Sequence, residues 1–154
     1  MPLLVKAKDV KDGSAIVNLH DGKMSTKYVY GSECNLMVAV RAGGYHSKPH
    51  RHDSEQLNYV TEGSIWVFFE NGGFLAETGD FYRVPKGAIH WGWNRDNTPC
   101  TIIECHAPAV EPAGRANSIG LFDEHEEHDI SRAVKNIGVD LDTAGIEEKV
   151  LGKT

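Results

Sequence analysis

An all-β sandwich or barrel is the fold this sequence predicts, and three observations predict it. The middle of the chain is a succession of short apolar runs rich in β-branched and aromatic residues, as strands prefer. Glycine and proline turn signals separate these runs at regular, short intervals. Histidines at a spacing of two, His50 and His52, sit where an extended chain would point both rings to one face.

The elements follow in order. Residues 1–30 hold the turn Asp21-Gly22 between weakly alternating segments and are expected to add edge strands. Residues 35–41 read as a strand, and 56–61 as another, closed by Glu62-Gly63. Residues 64–70 (Ser-Ile-Trp-Val-Phe-Phe-Glu) form a third. Asn71-Gly72-Gly73 is the expected hairpin turn, with 74–78 returning. Residues 81–84 lead into Pro85-Lys86-Gly87, and 89–93 and 101–106 complete the set. Pro108 and Pro112 then break the strand pattern. The acidic run Asp123 to Asp129 leads into an expected helix over 130–137, stopped by Gly138. The tail to Thr154 reads as a surface or partner-facing extension. One domain results: 1–30 edge strands, 31–110 the barrel core, 111–154 a partly helical extension.

Composition narrows the function classes. A chain of 154 residues with 40% hydrophobic and 25% charged residues can bury one core. A net charge of -6, with no Lys/Arg-rich block, argues against a nucleic-acid-binding face. No apolar run approaches the ~20 residues that span a bilayer, and residues 1–10 lack a signal-peptide pattern; a cytoplasmic location is expected. The three cysteines, Cys34, Cys100 and Cys105, have no C-x-x-C spacing and are expected as free thiols.

The candidate chemistry lies in two clusters. The first runs from Gly44 through His46, His50, His52 and Gln56 to Gly63; the second from Gly79 through Pro85, Gly87 and His90 to Asn94. Two imidazoles on one face, met by a third from another strand, make a first-row metal site. These clusters resemble the two cupin motifs, G-x5-H-x-H-x(3,4)-E-x6-G and G-x5-P-x-G-x2-H-x3-N. The second is complete; in the first, Gln56 stands where the family has Glu, and Glu55 falls on the wrong face. The resemblance covers roughly residues 35–107. It implies a cupin-type β-barrel or jelly roll, a double-stranded β-helix with a short C-terminal helical extension. It also implies one divalent transition metal on His50, His52, His90 and Gln56: Fe(II), Mn(II), Ni(II), Co(II) or Zn(II). Such a ligand set is neutral and leaves the metal its full charge toward an oxygen ligand. His46 is expected at the pocket mouth or on the surface, and His125 with His128 on a solvated acidic surface.

Other pocket residues follow loosely from strand parity. Glu104 and His106 share a face of the last core strand, and Glu104 resembles the acid that serves as base in cupins that open or isomerise sugar acids. The arginine that follows it there is missing; Val110 lies near its place. Glu104 and His106 are the candidate catalytic residues. Either Glu104 faces the pocket, or the strand is reversed and Cys105 does. Arg41, Trp66, Phe68 and Tyr82 are candidates for substrate contact, Arg41 as partner of Glu104 or of a substrate carboxylate. Trp91 and Trp93 have opposite parity to His90 and should pack outside, against a terminal segment or a partner subunit.

The expected function is a metal-dependent enzyme on a small oxygen-rich substrate (diketone, enol, phenolic or carboxylate), by dioxygenase-type C–C cleavage. The alternatives are a redox-neutral lyase or isomerase, and a non-catalytic small-molecule-binding cupin. A homodimer is expected, since an open sandwich has edge strands and an outer face to cover.

Overall fold

In a computed structural model, residues 4–10, 13–15, 19–112, 118–120 and 133–152 are described. The strands run β1 (Gly13–Ala15), β2 (Leu19–Asp21), β3 (Met24–Tyr30), β4 (Asn35–Arg41), β5 (His46–Ser47), β6 (His50–Arg51) and β7 (Glu55–Glu62). They continue as β8 (Ser64–Phe69), β9 (Gly72–Glu77), β10 (Phe81–Val84), β11 (His90–Trp93), β12 (Cys100–Ala107), β13 (Ser118–Gly120) and β14 (Ile137–Gly138). Among the described residues an α-helix, α1 (Ala144–Leu151), follows, and a short 3-10 turn at Ala7–Asp9 precedes the strands. Among the described residues no helix is long and apolar enough to cross a membrane.

Two sheets result. The first has the order β1-β3-β4-β12-β7-β10, with β13 lying parallel along β3. The second has the order β14-β6-β11-β5-β2, with β8 on β11 and β9 beyond it. Apart from β13, the strand pairs are antiparallel. Most of the expected strands lie within one or two residues of their expected bounds.

Alternation decides what faces inward. In β4 the buried positions are Asn35, Met37, Ala39 and Arg41; in β12 they are Cys100, Ile102, Glu104 and His106. Register then aligns rows across the first sheet. Asn35, His106, Gln56 and Val84 form one row; Met37, Glu104, Asn58 and Tyr82 form the next. A third, Ala39, Ile102 and Val60, is apolar and fully buried. The facing sheet answers this apolar row with Ile65 and Val67, so the interior is hydrocarbon at that end and polar at the other. Burying each such aliphatic side chain contributes about 1.5–3 kcal/mol.

Three expectations need correction. The β8–β9 hairpin turns at Glu70-Asn71, because Phe69 pairs with Gly72. Gly72 and Gly73 are strand residues, and a Cβ on Gly73 would come 2.6 Å from the Val67 carbonyl oxygen. The helix lies at Ala144–Leu151; of the expected one, 133–136 are irregular apart from a bridge at Val134, Ile137 opens β14, which pairs with β6, and 123–132 fall outside the described residues. Trp66 and Phe68 do not face the interior. They pack on the outer side of the second sheet with Trp91, Trp93 and the α1 residues Ile146, Val150 and Leu151. The reason is register: Trp91 pairs with Phe68 and Trp93 with Trp66, so all four share the face opposite His90.

Candidate metal centre

β6 and β11 are neighbours, with His50 directly opposite His90. Their rings lie 4.3 Å apart between centroids, and the His52 ring is 5.0 Å from that of His90. The candidate donor atoms of His50, His52 and His90 lie within 4.8 Å of one another.

The turn before β11 explains why the second motif needs its glycine. Gly87 has φ +77, a region that disfavours other residues, and its N–H donates to the His52 carbonyl at 2.9 Å. The two histidine clusters are thereby tied backbone to backbone. Asn94 closes the motif. Its Nδ2 donates to the carbonyls of Arg41, Ala42 and Thr98, and so holds the end of β4.

Each imidazole is oriented by a carbonyl two residues away. His50 Nδ1 is 3.1 Å from the Lys48 oxygen, and His90 Nδ1 is 2.9 Å from that of Ala88. A carbonyl only accepts, so the proton of each ring sits on Nδ1 and the Nε2 lone pair is left for a metal. Burial, with the neighbouring imidazoles adding to it, lowers the His50 pKa to about 4 and that of His90 well below its usual value. Both rings are neutral, as ligation requires.

Gln56 is oriented by a longer chain. Asn58 Nδ2 donates to the Tyr82 carbonyl at 3.3 Å, so Asn58 Oδ1 turns to Gln56 and accepts from its Nε2 at 2.7 Å. Gln56 Oε1 is left facing His52 Nε2 at 3.2 Å. His52 can serve either tautomer, because its Nδ1 meets both the Ser54 carbonyl at 3.1 Å and the Ser54 hydroxyl at 2.9 Å. With its proton on Nδ1, a nitrogen lone pair and an amide oxygen face each other and fit a shared cation. Three imidazole nitrogens and one amide oxygen thus fit a divalent transition metal.

Beside this centre lies the polar wall of the first sheet. Glu104, 2% exposed, accepts a short charge-assisted hydrogen bond from Arg41 Nη2. Cys105 faces outward, half-buried. Burial works against the Arg41 charge, but Glu104, with Tyr45 and Tyr82 adding to it, offsets burial and raises the pKa. The Arg41 Nη1 is buried and has no hydrogen-bond partner among the described residues. An unsatisfied buried donor costs about 1–3 kcal/mol, and more when charged.

His106 differs from the other three rings. Asn35 Oδ1 accepts from the Val110 N–H at 2.9 Å, which turns Asn35 Nδ2 toward His106 Nδ1 at 3.2 Å. Nδ1 must accept, so the proton is on Nε2, which faces Glu104 Oε2 at 3.6 Å, beyond a direct hydrogen bond. Burial, with His52, His50 and Arg41 adding to it, lowers the His106 pKa to about 3.

A cavity of about 50 Å³ lies between the candidate metal centre and Arg41, lined by Arg41, His50, Gln56, Tyr82 and His90, with Ile65 and Val67 as its apolar side. Burial, and then Glu104, raises the Tyr82 pKa, so Tyr82 is a neutral phenol. Of the expected substrate contacts, Arg41 and Tyr82 reach this cavity; Trp66 and Phe68 stand on the far side of the sheet. His46 lies under α1, its Nε2 2.7 Å from Glu147 Oε1, its ring stacked on Trp93 at 4.3 Å. His125 and His128 fall outside the described residues. The supporting residues Asn35, Ser54, Asn58 and Glu147 were not anticipated. For Asn58 a signal existed, since it shares parity with Gln56.

A double-sheeted β-barrel with a three-imidazole cluster inside it defines the class. Residues 36–106 match the family described as Cupin domain, which is consistent with a small cupin-superfamily domain. No curated protein matches it in sequence. Its fold is similar to that of an RmlC-like cupin from Shewanella frigidimarina (19% identity, 69% of this chain and 90% of that one, TM-score 0.59). It is similar also to a predicted oxalate decarboxylase from Thermotoga maritima (14%, 68% and 98%, TM-score 0.60). The polyketide cyclase RemF from Streptomyces resistomycificus is similar over nearly the whole length (16%, 97% and 93%, TM-score 0.60).

Proposed function

We propose that this chain is a metal-dependent enzyme that moves a proton on a small oxygen-rich substrate without redox change, in the manner of a lyase, isomerase or cyclase. The observation that carries this reading is the adjacency of two groups. Three converging imidazoles lie beside a buried carboxylate, its guanidinium partner and a proton-bearing imidazole. A divalent metal on His50, His52, His90 and Gln56 would supply Lewis-acid polarisation of a substrate oxygen.

The remaining roles belong to the chain. Glu104 Oε2, the oxygen not held by Arg41, accepts a proton from the carbon next to the polarised carbonyl, and the electron pair moves onto the carbonyl oxygen. The proton then returns to another atom of the substrate or leaves with its departing group. His106 Nε2–H steadies the carboxylate that forms when Glu104 releases it. Tyr82 and the apolar side of Ile65 and Val67 exclude water. Two similar structures are named as enzymes, a polyketide cyclase and a predicted oxalate decarboxylase, which supports an enzymatic reading without choosing the reaction.

The second reading is dioxygenase-type C–C cleavage. The narrow cavity with its hydrocarbon side favours it, since that space suits a diatomic gas. One experiment separates the two. The metal is identified by elemental analysis, and the loaded protein is incubated in D2O with a panel of small diketones and phenols under an oxygen electrode. Deuterium entering the substrate without oxygen uptake, and its loss in Glu104→Gln, is the expected outcome. Oxygen consumption coupled to cleavage would replace the first reading with the second.

A further inference from the structure

We infer that Arg41 forms an anion subsite inside this cavity, and that the substrate places one oxygen of a carboxylate or enolate on its Nη1. The inference deepens the enzymatic reading and takes from it only the metal's place.

The guanidinium is built into the wall. Its side chain is 10% exposed, its Nη2 is committed to Glu104, and its ring neighbour is Tyr45, with the guanidinium carbon 5.3 Å from the ring centroid. The backbone that carries it is pinned by Asn94 at the Arg41 carbonyl. What remains is Nη1, a buried charged donor with no partner among the described residues, in a side chain that lines the same cavity as His50 and His90. Charged donors buried in proteins are paired, and a standing exception marks a place for a ligand.

The ligand's chemistry follows from what surrounds it. Glu104 already balances the guanidinium, and His50, His90 and Gln56 bring no charge. A neutral carbonyl could accept from Nη1, but only an anion would also answer a metal left with its full +2 by neutral ligands. The planar fork of arginine suits a carboxylate or an enolate. Size agrees: about 50 Å³ at the ~10–15 Å³ that each water needs is room for about three to five waters, a carboxylate head with an atom or two behind it. The rest of a larger substrate would extend past His50, which is only partly buried.

The test uses formate, with formamide as its neutral match. Each is titrated into metal-depleted and zinc-loaded protein while the arginine side-chain 1H–15N resonances are followed. Arg41 resonances should shift saturably with formate, and at least tenfold higher formamide should be needed for the same shift. Arg41→Lys keeps a cation beside Glu104 but removes the free fork, and should weaken formate binding at least tenfold. Equal response to both probes, no Arg41 response in either form of the protein, or full affinity in Arg41→Lys would overturn the subsite. The wild-type comparison stands alone if the variant does not fold. Formate binding without zinc binding would retain the subsite and defeat only the metal reading; zinc binding with a silent Arg41 would do the reverse.

Discussion

His90 and His106 face one interior from opposite sheets, buried to nearly the same degree, 6% and 3% exposed, and both are neutral. They differ in where one proton sits. His90 keeps it on Nδ1 because a backbone carbonyl two residues away accepts it, so its Nε2 offers a lone pair. His106 keeps it on Nε2 because the Asn35 amide donates to its Nδ1, so it offers a proton instead. The same side chain becomes a candidate ligand on one wall and a proton carrier on the other. The partner on the far nitrogen makes the difference, not burial.

Metal content gives the largest effect by which this contrast can fail. His90→Ala should reduce bound metal from about one per chain to less than a tenth, while His106→Ala keeps it; elemental analysis after dialysis decides. Equal losses in both would mean that His106 is a ligand and its tautomer misassigned.

Next in size is the ion pair beside His106. Glu104→Ala leaves a buried guanidinium without its counter-charge and should cost about 3–5 kcal/mol in urea denaturation. A loss under about 1 kcal/mol would show that the wall is wetter than it looks.

Acid is a milder probe, applied to metal-depleted protein. The folded pKa of His106, about 3, lies below the unfolded value near 6.5. Between the two, the unfolded chain binds the proton and the folded one does not. Stability is therefore independent of this group above pH 6.5 and falls by about 1.4 kcal/mol per unit below it, until pH 3. Urea midpoints at pH 7, 5 and 4 should decline at least this steeply, since His50 and His90 add to the fall with the same sign; a flat profile would show accessible rings.

The smallest effect is the most specific. Asn35→Asp still accepts from Val110 but can no longer donate, so His106 should move its proton to Nδ1. Its 15N pattern should invert while metal content changes less than twofold.

Legibility in the sequence tracks distance along the chain. The candidate ligand positions are legible because His50, His52 and Gln56 lie within one short segment and His90 within one turn signal of β10. Parity placed Glu104 and His106 together for the same reason. Trp66 and Phe68 were misplaced because alternation groups residues without saying which group faces in; pairing with β11 settles that. Asn35 is 71 residues from His106, and Glu147 is 101 from His46, so neither contact leaves a local pattern. Helix α1 was missed at its true position because the charged run before residue 130 offered a stronger start signal.

Strand β11 has a consequence for anyone handling the protein. His90 points inward, while Trp91 and Trp93 hold the outside, and Trp91 Nε1 donates to Glu147 of α1 at 2.8 Å. Residues 144–151 are thus a brace on the back of the strand that carries His90, a candidate ligand. A tag or truncation there would reach the metal through two bonded neighbours, and would be expected to show first as faster metal loss to a chelator rather than as unfolding.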